Sequence, residues 1–252
     1  MRIVWEAQGD GAPVLLVQGL GYTRSGWGPA REALARRYRV LSFDNRGIGE
    51  SEVPPGPYTV AQLAADAASV LDEAGVARAH VVGASLGGMA AQEIALSYPD
   101  RVERLVLACT TPGGNGSYPM PLQTQRLIVE SVGMKPQVAL RRFVENALAP
   151  GAPTALADEI YAYRLANPPN AAGWGAQAAA GASWDAFGRI DRIAAPTLVI
   201  SGTHDNVVDA RNSRVLADRI PNARLELIEG AGHMLFWERP DEFVPLVTEF
   251  LG

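Results

Sequence analysis

Residues 81–88 read Val81-Val82-Gly83-Ala84-Ser85-Leu86-Gly87-Gly88, an apolar run that breaks into a turn with a serine between two glycines. The Gly-x-Ser-x-Gly spacing is that of a nucleophile elbow, a strand-to-helix turn sharp enough to hold a hydroxyl clear of the backbone. Both glycines have a steric purpose, because strand and helix approach closely there and a side chain at either position would collide. A chain with 26 glycines can produce such a match by chance, so the flanks decide. Ala79 to Gly83 has the composition of a buried strand, and Leu86 to Tyr98 is an Ala-rich apolar helix closed by Pro99. Strand, turn and helix are the context the motif requires. Ser85 is therefore the candidate nucleophile.

A nucleophilic serine needs a base, and the base needs an acid to orient it. The chain has only three histidines. His80 starts the strand that leads into the elbow, most of a strand's length from its tip, and reads as structural. His204 precedes Asp205 and reads as a loop residue. His233 lies in Gly230-Ala-Gly-His-Met, a glycine-rich loop after the apolar run Leu225 to Ile228, and is the best base. In Pro196-Thr-Leu-Val-Ile-Ser-Gly-Thr-His-Asp, a strand from Thr197 to Ser201 runs into a turn and places Asp205 just past its carboxyl end. Asp209, four residues on, better suits the first turn of the following helix. Ser85, Asp205 and His233 thus occur in the chain order Ser, Asp, His, which differs from the orders of the serine proteases.

The rest of the chain supplies the frame. Short β-rich runs at Ile3 to Glu6, Val14 to Gln18, Val40 to Phe43, Ala79 to Gly83 and Val102 to Ala108 alternate with helical patterns at Pro29 to Arg37 and Val60 to Glu73. Thr59 is suited to cap the second helix and Gly75 to end it. The alternation resumes with Thr197 to Ser201, a helix near Ala210 to Ile220, a strand at Arg224 to Ile228 and a last helix from Pro240. Such a pattern predicts an α/β fold, a mostly parallel twisted sheet with helices on both faces. Between Gly113 and Asp191 no strand is legible. That stretch reads as helices at Leu122 to Ser131, Pro136 to Ala147 and Thr154 to Leu165, broken by Gly, Pro and Asn. The expected organisation is a core of residues 1–112 and 192–252 with a helical cap inserted at 113–191. So many breakers in a stretch of that length make a poor core for an independent domain.

Five segments together resemble the α/β-hydrolase superfamily, in its small bacterial esterase, lactonase and haloperoxidase-like branch. They are Leu16-Val-Gln-Gly-Leu-Gly, Asp44-Asn-Arg-Gly-Ile-Gly-Glu-Ser, Gly83-Ala-Ser-Leu-Gly-Gly, Gly202-Thr-His-Asp and Gly230-Ala-Gly-His-Met. The first block departs from the family's usual His-Gly by having Gln18-Gly19, and the chain begins at what resembles the family's second strand. The resemblance implies a cap after the sixth strand and an oxyanion donor at the backbone N–H of Leu20. The N–H of Leu86, at the head of the elbow helix, is the expected partner donor. An aspartate replaces the nucleophilic serine in haloalkane dehalogenases and epoxide hydrolases, so Ser85 disfavours those activities.

Composition limits the reading further. A length of 252 residues with 48% hydrophobic residues suits one large domain with a substantial core. The net charge of −5 comes without a basic stripe, which argues against nucleic acid as a partner. No run reaches the apolar length of about 18 needed to span a membrane, and no secretory signal is legible. A cytoplasmic protein is expected. The single cysteine, Cys109, excludes an internal disulfide and a Cys-based zinc site, and reads as a buried small hydrophobe. Neither metal nor cofactor is expected.

The cap region is rich in aromatic residues, and Trp27, Tyr118, Trp174 and Trp184 are the expected walls of an apolar pocket. The sequence therefore predicts a serine hydrolase that cleaves a small, largely apolar carboxylic ester or lactone through an acyl-enzyme on Ser85. Thioester hydrolysis, carbon–carbon bond hydrolysis and cofactor-free perhydrolysis share the same triad. A ligand-binding relative without turnover is the alternative from another class.

Overall fold

A computed structural model describes all residues 1–252. Seven strands form one sheet: β1 (Trp5–Gln8), β2 (Pro13–Val17), β3 (Arg39–Phe43), β4 (Ala79–Ala84), β5 (Val102–Ala108), β6 (Thr197–Gly202) and β7 (Ala223–Ile228). Their spatial order is β1-β3-β2-β4-β5-β6-β7. Only β1 runs antiparallel, pairing Trp5 with Phe43 and Gln8 with Val40. The first strand thus starts two residues later than the apolar run Ile3 to Glu6 suggests. Val4 is held outside the ladder, donating its N–H to Ser51 Oγ (2.9 Å) and accepting from the Asp44 N–H (2.9 Å).

Alternation along the strands builds two cores. Leu15, Val17, Leu41, Phe43, Val81, Leu105 and Leu107 face one side, where they meet α2 (Val60–Glu73), α3 (Leu86–Ser97) and α8 (Arg211–Arg219). Val14, Leu16, Val40, Val82, Val106 and Leu198 face the other, beneath α1 (Pro29–Ala35), α9 (Leu235–Glu238) and α10 (Pro240–Leu251). A parallel sheet is buried on both faces because its crossover helices must pack back on it. Thr59 caps α2 as expected, and Gln62 completes a capping box: Thr59 Oγ1 accepts from the Gln62 N–H at 3.1 Å, and the Gln62 side chain accepts from the Thr59 N–H at 2.9 Å.

Between β5 and β6 the chain forms four helices, α4 (Leu122–Ser131), α5 (Pro136–Ala147), α6 (Thr154–Ala166) and α7 (Ala171–Ser183). Three were legible in the sequence and α7 was not. Its Gly173, Gly175 and Gly181 read as breakers, yet Gly173 is where the helix backbone meets the backbone of Gly47. A Cβ at Gly173 would stand 2.0 Å from the Gly47 carbonyl oxygen. Ala176 and Ala180 of α7 join the first core, whereas Val144, Leu148, Ala157 and Ile160 of α5 and α6 join the second. The inserted helices therefore straddle the sheet edge and have no separate core.

At the elbow, a Cβ on Gly83 would lie 2.4 Å from the Gly87 carbonyl oxygen, and one on Gly87 would lie 2.0 Å from that of Val17. Overpacking of this kind costs about 1–3 kcal/mol or more. Gly87→Ala should accordingly lower the thermal midpoint by several degrees, at about 2–4 °C per kcal/mol for a chain this size. Gly175→Ala, in open space on α7, should raise it, since Ala is favoured over Gly in a helix by about 0.5–1 kcal/mol. Melting curves followed by circular dichroism check both signs.

Candidate active site

The parallel register sets the carboxyl ends of β2, β4, β5, β6 and β7 side by side. Val17 pairs with Gly83, Ala84 with Ala108, Ala108 with Ile200, and Gly202 with Ile228. The residues that follow these ends are the candidates. Ser85 follows β4 with φ 55° and ψ −122°, a left-handed conformation rare for a residue with a side chain. Cys109, after β5, has φ 50°, and these two are the only non-glycine residues of positive φ. The Ser85 N–H donates to Ala108 O (2.9 Å) and Thr110 Oγ1 donates to Ser85 O (2.7 Å), so its backbone is fixed from the neighbouring strand end.

Asp205, after β6, is buried, and its carboxylate is fully engaged. Oδ1 accepts from the N–H groups of Val207 (2.8 Å) and Val208 (2.9 Å), while Oδ2 lies 2.8 Å from His233 Nδ1. That arrangement presents Nε2 as the free ring nitrogen. Ser85 Oγ makes no hydrogen bond to it, as is common in the absence of substrate. Cys109 adjoins the acid–base pair, its Sγ within 4.8 Å of the ligand-type atoms of Asp205 and His233. Cys109 is buried, as the sequence reading expected, and burial pushes its thiol well above the ordinary range, with the charge of Asp205 adding to the shift. His80 is buried in β4 with its pKa lowered by desolvation, and His204 is exposed beside Thr203. Asp209 is paired with Arg211, whose hydrogen bonds hold its carboxyl below the usual range.

Two backbone donors are left free. Gly19 N–H donates to Gln18 Oε1 (2.7 Å), Gly21 N–H to Gln177 Oε1 (3.2 Å) and Tyr22 N–H to Gly19 O (3.4 Å), but the Leu20 N–H between them has no partner. Leu86 heads α3, where an N–H has no intrahelical acceptor. A Cβ on Gly19 would lie 3.6 Å from Ser85 Oγ, so the loop of Leu20 and the elbow adjoin. Gln18, where the family pattern has histidine, turns its side-chain oxygen back to its own loop.

The expected pocket residues separate. Trp27 is a correction: it is 0% exposed, its ring packed on Phe236 at 5.0 Å within the second core. A tryptophan between glycines reads the same in sequence whether it fills a core or lines a cleft. Tyr118 is tied to α8, its backbone bracketed by the Asn212 side chain and its ring 4.0 Å from the Arg211 guanidinium. Trp184 donates to Glu93 of α3. Trp174 is 42% exposed and touches Gly21.

Glu238 was not foreseen. Its carboxylate accepts from Ala149 N–H (3.0 Å) and Gly232 N–H (3.1 Å), while the N–H groups of His233 and Met234 both donate to Ala147 O (2.9 and 3.2 Å). The histidine loop is thereby joined to the end of α5. The only sequence signal was an acidic residue five places past His233.

Residues 12–240 match the family model described as the alpha/beta hydrolase fold, and the chain belongs to that family. It is similar to a poly(3-hydroxyalkanoate) depolymerase of Ectopseudomonas oleovorans, 32% identical over 95% of this chain and 84% of the relative. Among solved structures, it resembles a hydrolase from Pseudomonas aeruginosa (34% identity, TM-score 0.84, covering 99% and 94% of the two chains). It also resembles the enol-lactonase from Burkholderia xenovorans (29% identity, TM-score 0.85, covering 99% and 96%). No helix is long and apolar enough to cross a membrane.

Burial raises the Glu238 pKa above its ordinary 4.5, against the lowering effect of the two N–H groups. An acid whose pKa is raised by folding contributes stability that is complete below the unfolded value and is lost as pH climbs through the folded one. The stability of the wild type relative to Glu238→Gln should therefore be greatest near pH 4.5 and fall as pH rises, levelling above the raised value. Urea unfolding of both proteins across pH 4–8 measures it. A difference constant with pH would contradict the shift.

Proposed function

We propose that the protein is a serine hydrolase that cleaves a small, largely apolar carboxylic ester or lactone. The observation that carries this reading is the 2.8 Å His233–Asp205 pair, oriented at the sheet edge that also presents Ser85 on its strained elbow. His233 Nε2 takes the proton of Ser85 Oγ as the oxygen attacks the substrate carbonyl, and Asp205 stabilises the imidazolium. The N–H groups of Leu20 and Leu86 receive the oxyanion. The carbon–oxygen bond then breaks, the alcohol leaves with the proton from His233, and water repeats the sequence to release the acid. Losing one oxyanion donor costs about 2.7–4 kcal/mol in barrier, so the fixed loops at both positions matter.

Residues 113–191 act as the cap over this edge and shape what enters. A polyester depolymerase and an enol-lactonase among the similar proteins support an ester or lactone carbonyl as the reacting group. Proteolysis of folded chains does not suit a site under helices.

A panel of p-nitrophenyl acetate and butyrate with simple lactones tests the reading. Ser85→Ala should reduce kcat to background with the fold intact, and appreciable remaining turnover would mean another nucleophile. Asp205→Asn should lower kcat by about 10⁴, as expected when the base is held in the wrong tautomer. A mild loss would assign the orienting acid elsewhere.

A further inference from the structure

The loop that carries Leu20 has no secondary structure of its own, yet one of its residues is gripped from outside on both peptide groups. Gly21 N–H donates to Gln177 Oε1 (3.2 Å), and Gly21 O accepts from Arg164 Nη1. The two side chains come from different helices, α6 and α7, and both are buried: Arg164 is 8% exposed and Gln177 0%. Gln177 also donates from Nε2 to Arg46 O (2.8 Å), tying the loop after β3 to the same point.

The surroundings are organised around this grip. The Arg164 guanidinium lies 4.3 Å from the centroid of the Tyr22 ring, which stacks on Tyr163 at 5.9 Å and an interplanar angle of 10°. Tyr163 OH in turn shares a 2.8 Å hydrogen bond with Thr23 Oγ1. The Trp174 indole closes over Gly21. Arg164 forms no ion pair with any carboxylate. A buried cation without a counter-ion is expensive, and here the Gly21 carbonyl and the face of Tyr22 are what compensate it. Its charge therefore sits on the Gly21–Tyr22 peptide, one peptide beyond the link between Leu20 and Gly21.

We infer that Arg164 and Gln177 are positioning residues for the oxyanion loop. They hold the Gly21 peptide groups on either side so that the Leu20 N–H stays unpartnered and directed toward Ser85. The oxyanion hole is then assembled only when α6 and α7 are seated on the body. This inference rests on the proposed serine mechanism.

The test compares Arg164→Met, Arg164→Lys, Gln177→Met and Gln177→Glu with the wild type on a p-nitrophenyl ester. It also compares their binding of an arylboronic acid, which forms a tetrahedral adduct on a reactive serine. Arg164→Met and Gln177→Met should lower kcat by about 10- to 100-fold, below the 10²–10³ expected for deleting a donor outright. KM should change little, and boronate affinity should fall in parallel with kcat. Arg164→Lys, which keeps charge and one donor, should recover most of the loss. Gln177→Glu keeps an acceptor for Gly21 but sets a carboxylate oxygen against Arg46 O and buries a charge there, so kcat should fall as in Gln177→Met; Arg164→Lys carries the test if the methionine variants fold poorly.

Unchanged kcat and boronate affinity in all four would overturn the inference, as would a rise in KM with boronate affinity intact. Failure of the parent reading looks different: a wild type as inactive as Ser85→Ala, with no boronate binding, removes both together.

Discussion

The carbonyl oxygen of Val17 and the backbone of Gly87 approach so closely that no side chain fits between them, and the site is organised around that contact. It brings the first turn of α3 against the end of β2, which forces β4 to turn into the helix within a single residue. That residue is Ser85, and its left-handed backbone is the result. Strain of this kind costs of order 1–3 kcal/mol and persists only where the surroundings over-determine it. Here they do: Ala108 O, Thr110 Oγ1 and the first turn of α3 fix the peptide groups around it. The same approach brings the loop after β2 beside the hydroxyl, so elbow and oxyanion loop are consequences of one packing constraint.

The inserted helices are bound into the body at several points. They join both hydrophobic cores and supply hydrogen-bond partners to two loops of the site: Arg164 and Gln177 to the loop of Leu20, and Ala147 O and the Ala149 N–H to the neighbourhood of His233. Polar groups buried at such junctions are costly unless satisfied; Arg164, Gln177 and Ala147 O satisfy backbone groups that the body leaves open, and Glu238 of the body satisfies the Ala149 N–H in return.

What the sequence made legible follows from physics that acts over short distances. The alternation of apolar runs located all seven strands, within one residue except at β1, where Val4 is taken up by Ser51 and Asp44 before the ladder begins. The elbow, Asp205 and His233 were readable because each lies just past a strand and each needs a specific residue type. The fourth inserted helix was not readable, since the glycines that permit its contact with Gly47 are the same residues that signal a break. Trp27 misled for a related reason: its burial on Phe236 is decided by residues more than 200 positions apart. Arg164 and Gln177 gave no signal either, and Glu238 none beyond its acidity near His233, because each acts through backbone groups whose position only tertiary folding defines.

The two amide protons of His233 and Met234 that converge on Ala147 O carry a lesson for chimeric proteins. An insertion that ends its second helix elsewhere would strand both donors in the interior and leave the imidazole's support unfinished. The insertion between β5 and β6 is consequently not a freely transplantable module. A graft from a relative has to bring an accepting carbonyl to that same place before any question of new specificity arises.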